Sequence, residues 1–342
     1  MPLSPTPSCP SCNHSGQSTN LLRCQSCNVV YYCGREHQVA DWQAHKGACV
    51  AIKKATKTLA REEQRLRSLP ADMFMPQPIF EEHAGHFWGI HETRPYMRAR
   101  YALVEAILKI KTYAAVKAAH EHLMEMLRLC RGDNMGVRDL VPALFLRLGN
   151  DQGCYDFCVW YATTGQEGDY AWGDMDLGFL DVKDANVFES VPENLTGSYF
   201  DLSHGVAITL LKIKLFMDVR TLRDSSMVGE KVPQEIIDGI RTQLVTGTVI
   251  ARHVKVTDID SQNTTIEMLE GQLKDMYTAV DARNTFFWPS LLRPGGNLTA
   301  RPQAFSHGSR SEMQLVLQYN YDAWSETPGA IDMIGDLKQG SE

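Results

Sequence analysis

The chain has 342 residues, a formal net charge of −7 and 44% hydrophobic residues, the make-up of an ordinary globular protein with room for one large core or two modest ones. An acidic balance excludes a molecule built as a whole to coat nucleic acid, and no run of about 18 apolar residues offers a membrane span. Six of the nine cysteines fall before residue 50, so the cysteine chemistry is concentrated at one end.

Residues 1–8 carry Pro2, Pro5 and Pro7 and no apolar stretch. They predict a mobile tail with no signal-peptide pattern, and with it a reducing intracellular setting, cytoplasmic or nuclear, where clustered cysteines serve metals and not disulfides. Residues 9–49 then hold four pairs of candidate ligands: Cys9 and Cys12, Cys24 and Cys27, Cys33 and His37, His45 and Cys49. A Cys-x-x-Cys turn aims two sulfurs at one ion, with Zn–S distances of about 2.3 Å. An offset of four residues puts two side chains on one face of a helix turn. Eight ligands suffice for two tetrahedral zinc ions per chain.

This stretch resembles the MYND-type zinc finger. The resemblance rests on the two Cys-x-x-Cys pairs, Tyr32–Cys33, His37 with Gln38 beside it, Asp41–Trp42, and the His45 to Cys49 spacing. His37 stands where the family usually has cysteine, which changes the ligand type and not the ligand count. The resemblance implies a cross-brace, with Cys9, Cys12, Cys33 and His37 on one ion and Cys24, Cys27, His45 and Cys49 on the other. It also implies a docking module for short proline-rich peptides, contacted by Gln38 and Trp42. Those two residues are four apart and share a helix face, the indole offering an apolar plane and the amide a hydrogen bond. The expected function is therefore a zinc-binding adaptor for protein partners with proline-rich motifs, in transcriptional or signalling regulation.

Two other classes meet resistance in the sequence. Some MYND proteins carry a SET methyltransferase domain, whose Asn-His-Ser/Cys-x-x-Pro-Asn stretch is expected after the finger. The Asn-His-Ser here is Asn13–His14–Ser15, inside the finger and without the Pro-Asn. Neither a Gly-x-Gly-x-x-Gly nor a phosphate-loop motif occurs, so no catalytic residues are assigned. The alternative is an enzyme with an unrecognised activity in the helical part, or a degenerate relative of the MYND-SET enzymes. Direct nucleic-acid reading is disfavoured, because the finger holds only Arg23, Arg35 and Lys46 against Glu36 and Asp41.

The remainder reads as mainly α. Residues 50–95 are a basic helix and connector. The helix, residues 51–69, carries Lys53, Lys54, Lys57, Arg61, Arg65 and Arg67, read as charge spread round a solvated helix. The connector holds His83, His86 and His91, too weak a pattern for a third metal site beside Phe87–Trp88. Residues 96–163 form helical hairpins that are tetratricopeptide-like. Aligning Ala119 with Cys154 and Leu123 with Cys158 gives a 35-residue period, although Pro142 interrupts a helix. Cys130, Cys154 and Cys158 read as buried small hydrophobes.

Residues 164–203 form an acidic aromatic loop. Between 165 and 193 it has eight acids against Lys183, and its aromatics favour packing over disorder. Its candidate roles are a clamp for a basic peptide or an insertion over the helices; a calcium site lacks the required ligand order. Residues 204–342 form a helical C-terminal domain. It comprises a helix over 204–223 with a stripe of Leu211, Leu215, Val219 and Leu222, and one starting at Pro233 with Ile237, Ile240 and Leu244 inward. Two more are expected, over 264–280 with Ile266, Leu269, Leu273, Met276 and Val280, and around 311–324.

Overall fold

A computed structural model describes residues 2–16, 20–71, 77–197, 200–229, 249 and 259–339. The helix expected from Pro233 lies outside the described residues. The regular elements among the described residues are helices apart from one short hairpin, β1 (Leu22–Arg23) paired antiparallel with β2 (Tyr31–Tyr32) in the N-terminal finger. The helices are α1 (Arg35–Arg67), α2 (Ile79–Glu82), α3 (Arg94–Ile107), α4 (Tyr113–Leu129), α5 (Val141–Arg147) and α6 (Asp151–Ala162). They continue with α7 (Leu202–Gly229), α8 (Ile259–Arg283), α9 (Phe287–Leu292), α10 (Arg310–Glu326) and α11 (Ala330–Gln339). Contacts divide the chain into two compact units, one of Leu3–Leu144 with Ala171–Phe179, the other chiefly of Phe145–Tyr170 with Leu180–Glu342.

The first unit contains the finger and α1 to α4. The sequence reading breaks the chain at Cys49 and restarts a helix at residue 51; the structure shows one 33-residue helix, α1, carrying zinc-type ligands at one end and core residues at the other. Its alanine-rich run favours helix, Glu62 and Glu63 pair with Arg65 and Arg67 across one turn, and Pro70 lies beyond its end. Ile52, Leu59 and Leu66 are buried on one side of α1, which packs against α3. Thr112 caps α4 by accepting from the Ala115 amide at 3.1 Å, and its hydroxyl donates to the Val29 carbonyl of the finger at 2.8 Å. Arg131 fastens the middle of the acidic loop. Its guanidinium donates to the carbonyls of Asp174 (2.6 Å) and Leu177 (3.1 Å) and lies over the Phe179 ring. The aromatic connector docks as well, with Phe87 and Tyr96 buried beside Phe80.

The second unit is built around α7. Residues 202–219 of it are buried on every side, Val206, Ile208, Leu210, Leu211, Ile213 and Leu215 among them, and not on one stripe as expected, while Leu222 of that stripe is only half-buried. The reason is that α6, α8, α10 and α11 all pack on it. Its two lysines are accordingly internal. Lys214 pairs with the buried Asp151, and Lys212 donates to the carbonyls of Val187 (2.6 Å) and Glu189 (2.9 Å) in the acidic loop. Burial brings the Lys212 ammonium down to about 7. Asp156 accepts the amides of Asp184 and Ala185, and Trp160 donates to Asp181, so this part of the loop is also packed. The five apolar positions expected to be inward on α8 are all buried.

The helices read as a repeat are unequal. α3 has 14 residues and α5 has 7, because the chain before Pro142 forms a 3-10 turn (Val137–Asp139) and Pro142 sits in the first turn of α5, where its missing N–H costs nothing. Ala119, Leu123, Cys154 and Cys158 are nevertheless all fully buried, and burial pushes the Cys158 thiol well up, so it stays a protonated packing group.

Candidate metal centre

The two Cys-x-x-Cys turns are built alike. In each, the carbonyl of the first cysteine accepts the amide of the asparagine four residues on, Asn13 to Cys9 at 2.8 Å and Asn28 to Cys24 at 2.9 Å. Both asparagines are left-handed, with φ of 57° and 60°. That conformation is costly for most L-residues and cheaper for asparagine. The turns fold both sulfurs of each pair to the same side. The β1–β2 hairpin then returns the chain so that Cys33 follows β2 directly, and α1 supplies His37 from its first turn and His45 and Cys49 from about two and three turns further on.

The result is two interleaved clusters. Cys9, Cys12, Cys33 and His37 bring their donor atoms within 4.8 Å of one another, and so do Cys24, Cys27, His45 and Cys49. A tetrahedral ion with Zn–S of about 2.3 Å and Zn–N of about 2.0–2.1 Å requires S···S edges of about 3.8 Å and S···N edges of about 3.6 Å. The observed separations are 3.8 Å for Cys24–Cys49, 3.6 Å for Cys27 to His45 Nε2, 3.5 Å for Cys9 to His37 Nδ1, and 3.6 Å for Cys12 to the same nitrogen. Cys12–Cys33 is somewhat closer, 3.4 Å. Both clusters fit a zinc ion, in the pairing that the resemblance implies.

The electrostatics point the same way. Burial raises the Cys9 thiol, yet the backbone N–H groups of Cys33, Ser11 and Cys12 outweigh it and bring it down to about 6. Cys24 likewise falls to about 6, against its burial, through the Cys27 amide and the His45 ring. Burial and the neighbouring Cys24 and Cys27 sulfurs push Cys49 up to about 12. In each site one thiol is thus brought down while another, Cys33 in the first and Cys49 in the second, is pushed up, a conflict that a dication resolves.

The second cluster is fully buried, whereas Cys12, Cys33 and His37 of the first are half-exposed. The His45 ring is flanked by the edges of Tyr32 and Trp42, with centroids at 6.0 and 6.2 Å. Tyr32 donates to Asp41 at 2.6 Å, which locks the hairpin to α1. Sequence reasoning missed this pair. It also missed the two asparagines, although Cys-x-x-Cys-Asn occurs twice, and His14, whose Nδ1 lies 3.3 Å from the Cys12 sulfur. Gln38 and Trp42 occupy successive turns of α1. Trp42 is 39% exposed, and the Gln38 side-chain Oε1 accepts from the Arg35 guanidinium at 2.8 Å. Among the described residues, the metal-type clusters do not include His83, His86 or His91.

Residues 9–49 match the family model described as MYND finger. Among curated proteins, the chain is similar to the Rho GTPase-activating protein gacZ of Dictyostelium discoideum, 38% identical over 61 residues, covering 17% of this chain and 6% of that protein. It is similar to Egl nine homolog 1 of Homo sapiens, 47% identical over 38 residues, 11% of this chain and 9% of that one. It is also similar to the histone-lysine N-methyltransferase ASHR1 of Arabidopsis thaliana, 35% identical over 46 residues, 14% and 10% of the two chains. The chain thus spans a tenth or less of the length of these relatives. No solved structure matches it.

Proposed function

The chain carries an MYND finger, a zinc-binding protein-interaction module, and we propose from it that the protein is an adaptor whose eight Cys and His residues hold two zinc ions and whose α1 surface docks proline-rich segments of partner proteins. One observation supports this above others: Trp42 is part-exposed on a stretch of helix bracketed by His37 and His45, one ligand from each cluster. An aromatic plane that metal holds still suits a polyproline II segment, which has little conformational freedom left to lose. Gln38, one turn away, keeps its amide N–H groups for a ligand carbonyl because Arg35 engages its oxygen. The reading assigns binding and no chemistry. The alignment with the methyltransferase covers only 10% of that protein and does not carry its activity here.

Titration of proline-rich peptides against the full chain tests this. Trp42→Ala is expected to weaken binding by roughly thirtyfold, about 2 kcal/mol, as truncated Trp anchors do, with two zinc ions retained because Trp42 is not a ligand. Gln38→Ala should cost about 1 kcal/mol. Unchanged binding by Trp42→Ala, or loss of zinc together with binding, would count against the docking role.

A further inference from the structure

α1 has a second exposed feature that the finger does not account for. Between Lys46 and Arg61 it holds five basic residues, Lys46, Lys53, Lys54, Lys57 and Arg61, and no acidic one. At 100° per residue they fall within about 100° of arc, on the side opposite Ile52, Leu59 and Leu66, which face the core. The charge is therefore gathered on one face. All five are exposed, and among the described residues none of the four lysines has an ion-pair partner, while Arg61 meets only its neighbour Glu62. The same arc carries Val39 and Val50, which are 60% and 52% exposed, and Trp42 lies at its edge. A helix face opposed to the core needs lysines only for solubility, and natural solvated helices intersperse acids for that purpose, as α1 itself does at Glu62 and Glu63.

We propose that this face is a continuation of the peptide site: the polypeptide that seats a proline-rich stretch at Trp42 carries an acidic segment that runs along α1 over Val50 to Lys53, Lys57 and Arg61. The proposal deepens the docking reading and rests on it for the position at Trp42. Helical rise places Lys53 about 16 Å and Arg61 about 28 Å from Trp42 along the axis. An extended chain advances about 3.3 Å per residue, so the acids lie about five to nine residues from the residue on the indole. Charge complementarity names the occupant's chemistry, and exposure sets its weight. Each solvated pair contributes little, and the three together give about tenfold in affinity at low salt, mostly lost at high salt. The acidic loop of this chain is fixed by its own contacts, its backbone by Arg131 at the carbonyls of Asp174 and Leu177 and its Asp181 by Trp160.

The test uses the full chain and four fluorescent probes. The first is a hexaproline peptide followed, through a four-residue Gly-Ser spacer, by four glutamates. The second replaces the glutamates with glutamines, the third places the glutamates before the prolines, and the fourth is a single-stranded oligouridine of equal charge. The first or third probe is expected to bind about tenfold tighter than the second at low salt. Lys53→Glu with Lys57→Glu should remove that gain, leave the second probe's binding unchanged and leave zinc content at two. Trp42→Ala should weaken all three peptides alike; if it weakens none, the docking reading fails separately from this one. Equal binding of the three peptides by the wild type would overturn the acidic-partner assignment. So would a charge reversal that weakens the glutamine probe as much as the others. Tighter binding of the oligouridine than of either glutamate peptide, with competition between them, would make the face a nucleic-acid surface and overturn it too.

Discussion

Asn13 and Asn28 do in the finger what no ligand does: they turn the chain after each Cys-x-x-Cys so that both sulfurs meet the same ion. Their left-handed backbone costs an ordinary L-residue about 1–2 kcal/mol, so Asn→Ala at either position should weaken its zinc site by about 1 kcal/mol, while Asn→Gly should be close to neutral. Competition with a colorimetric chelator measures this one site at a time: Asn13 variants should affect the half-exposed cluster and Asn28 variants the buried one. An Ala variant as tight as wild type would show that the knuckle geometry is imposed by the metal alone. At this scale the sequence was most legible. All eight candidate ligands converge in two groups, because metal-ligand spacing is a local constraint. The supporting contacts were not legible, since Tyr32–Asp41 and His14–Cys12 meet only after the hairpin and helix have formed.

At the scale of elements, periodicity marked where apolar faces lie and said less about what covers them. The five apolar positions of α8 are inward as expected, whereas residues 202–219 of α7 are buried all round because four other helices pack on it, a tertiary fact with no signature in its own stripe. The two internal lysines of α7 follow from that. Lys212 ties the helix to the acidic loop through Val187 and Glu189, and burial lowers it from 10.5 to about 7. The unfolded chain keeps this proton up to about pH 10.5 while the folded chain releases it above about pH 7. Stability should therefore rise with pH across that window, by up to about 1.4 kcal/mol per unit from this group, and be insensitive to it below. Lys212→Met fills the same volume without titrating. Denaturant midpoints from pH 6 to 10 should show the wild type gaining on the variant above pH 7; parallel curves would place the ammonium in contact with water.

For the whole molecule, the informative boundary is not the end of the finger. α1 continues without a break from Cys49 into the packing against α3, and Thr112 at the start of α4 is bonded to Val29, so finger and first helices share one core. The sequence marks residue 49 as the last ligand, and ligand spacing carries no information about a helix that goes on for another five turns. Zinc affinity is folding free energy wherever the ligands are part of a cooperative core, and structural zinc contributes roughly 10–16 kcal/mol in finger peptides. Removal of the metal should accordingly destabilise the unit of Leu3–Leu144 well beyond residue 49, and leave the core around α7, which contains none of the eight ligands. Calorimetry of the full chain with zinc and with excess chelator tests this. Two transitions are expected, of which chelation lowers or abolishes one and leaves the other in place. Hydrogen exchange should assign the lost transition to amides of α1, α3 and α4. Exchange that quickens only before residue 50 would show the helices standing without the finger, with α1 as a mere tether between them.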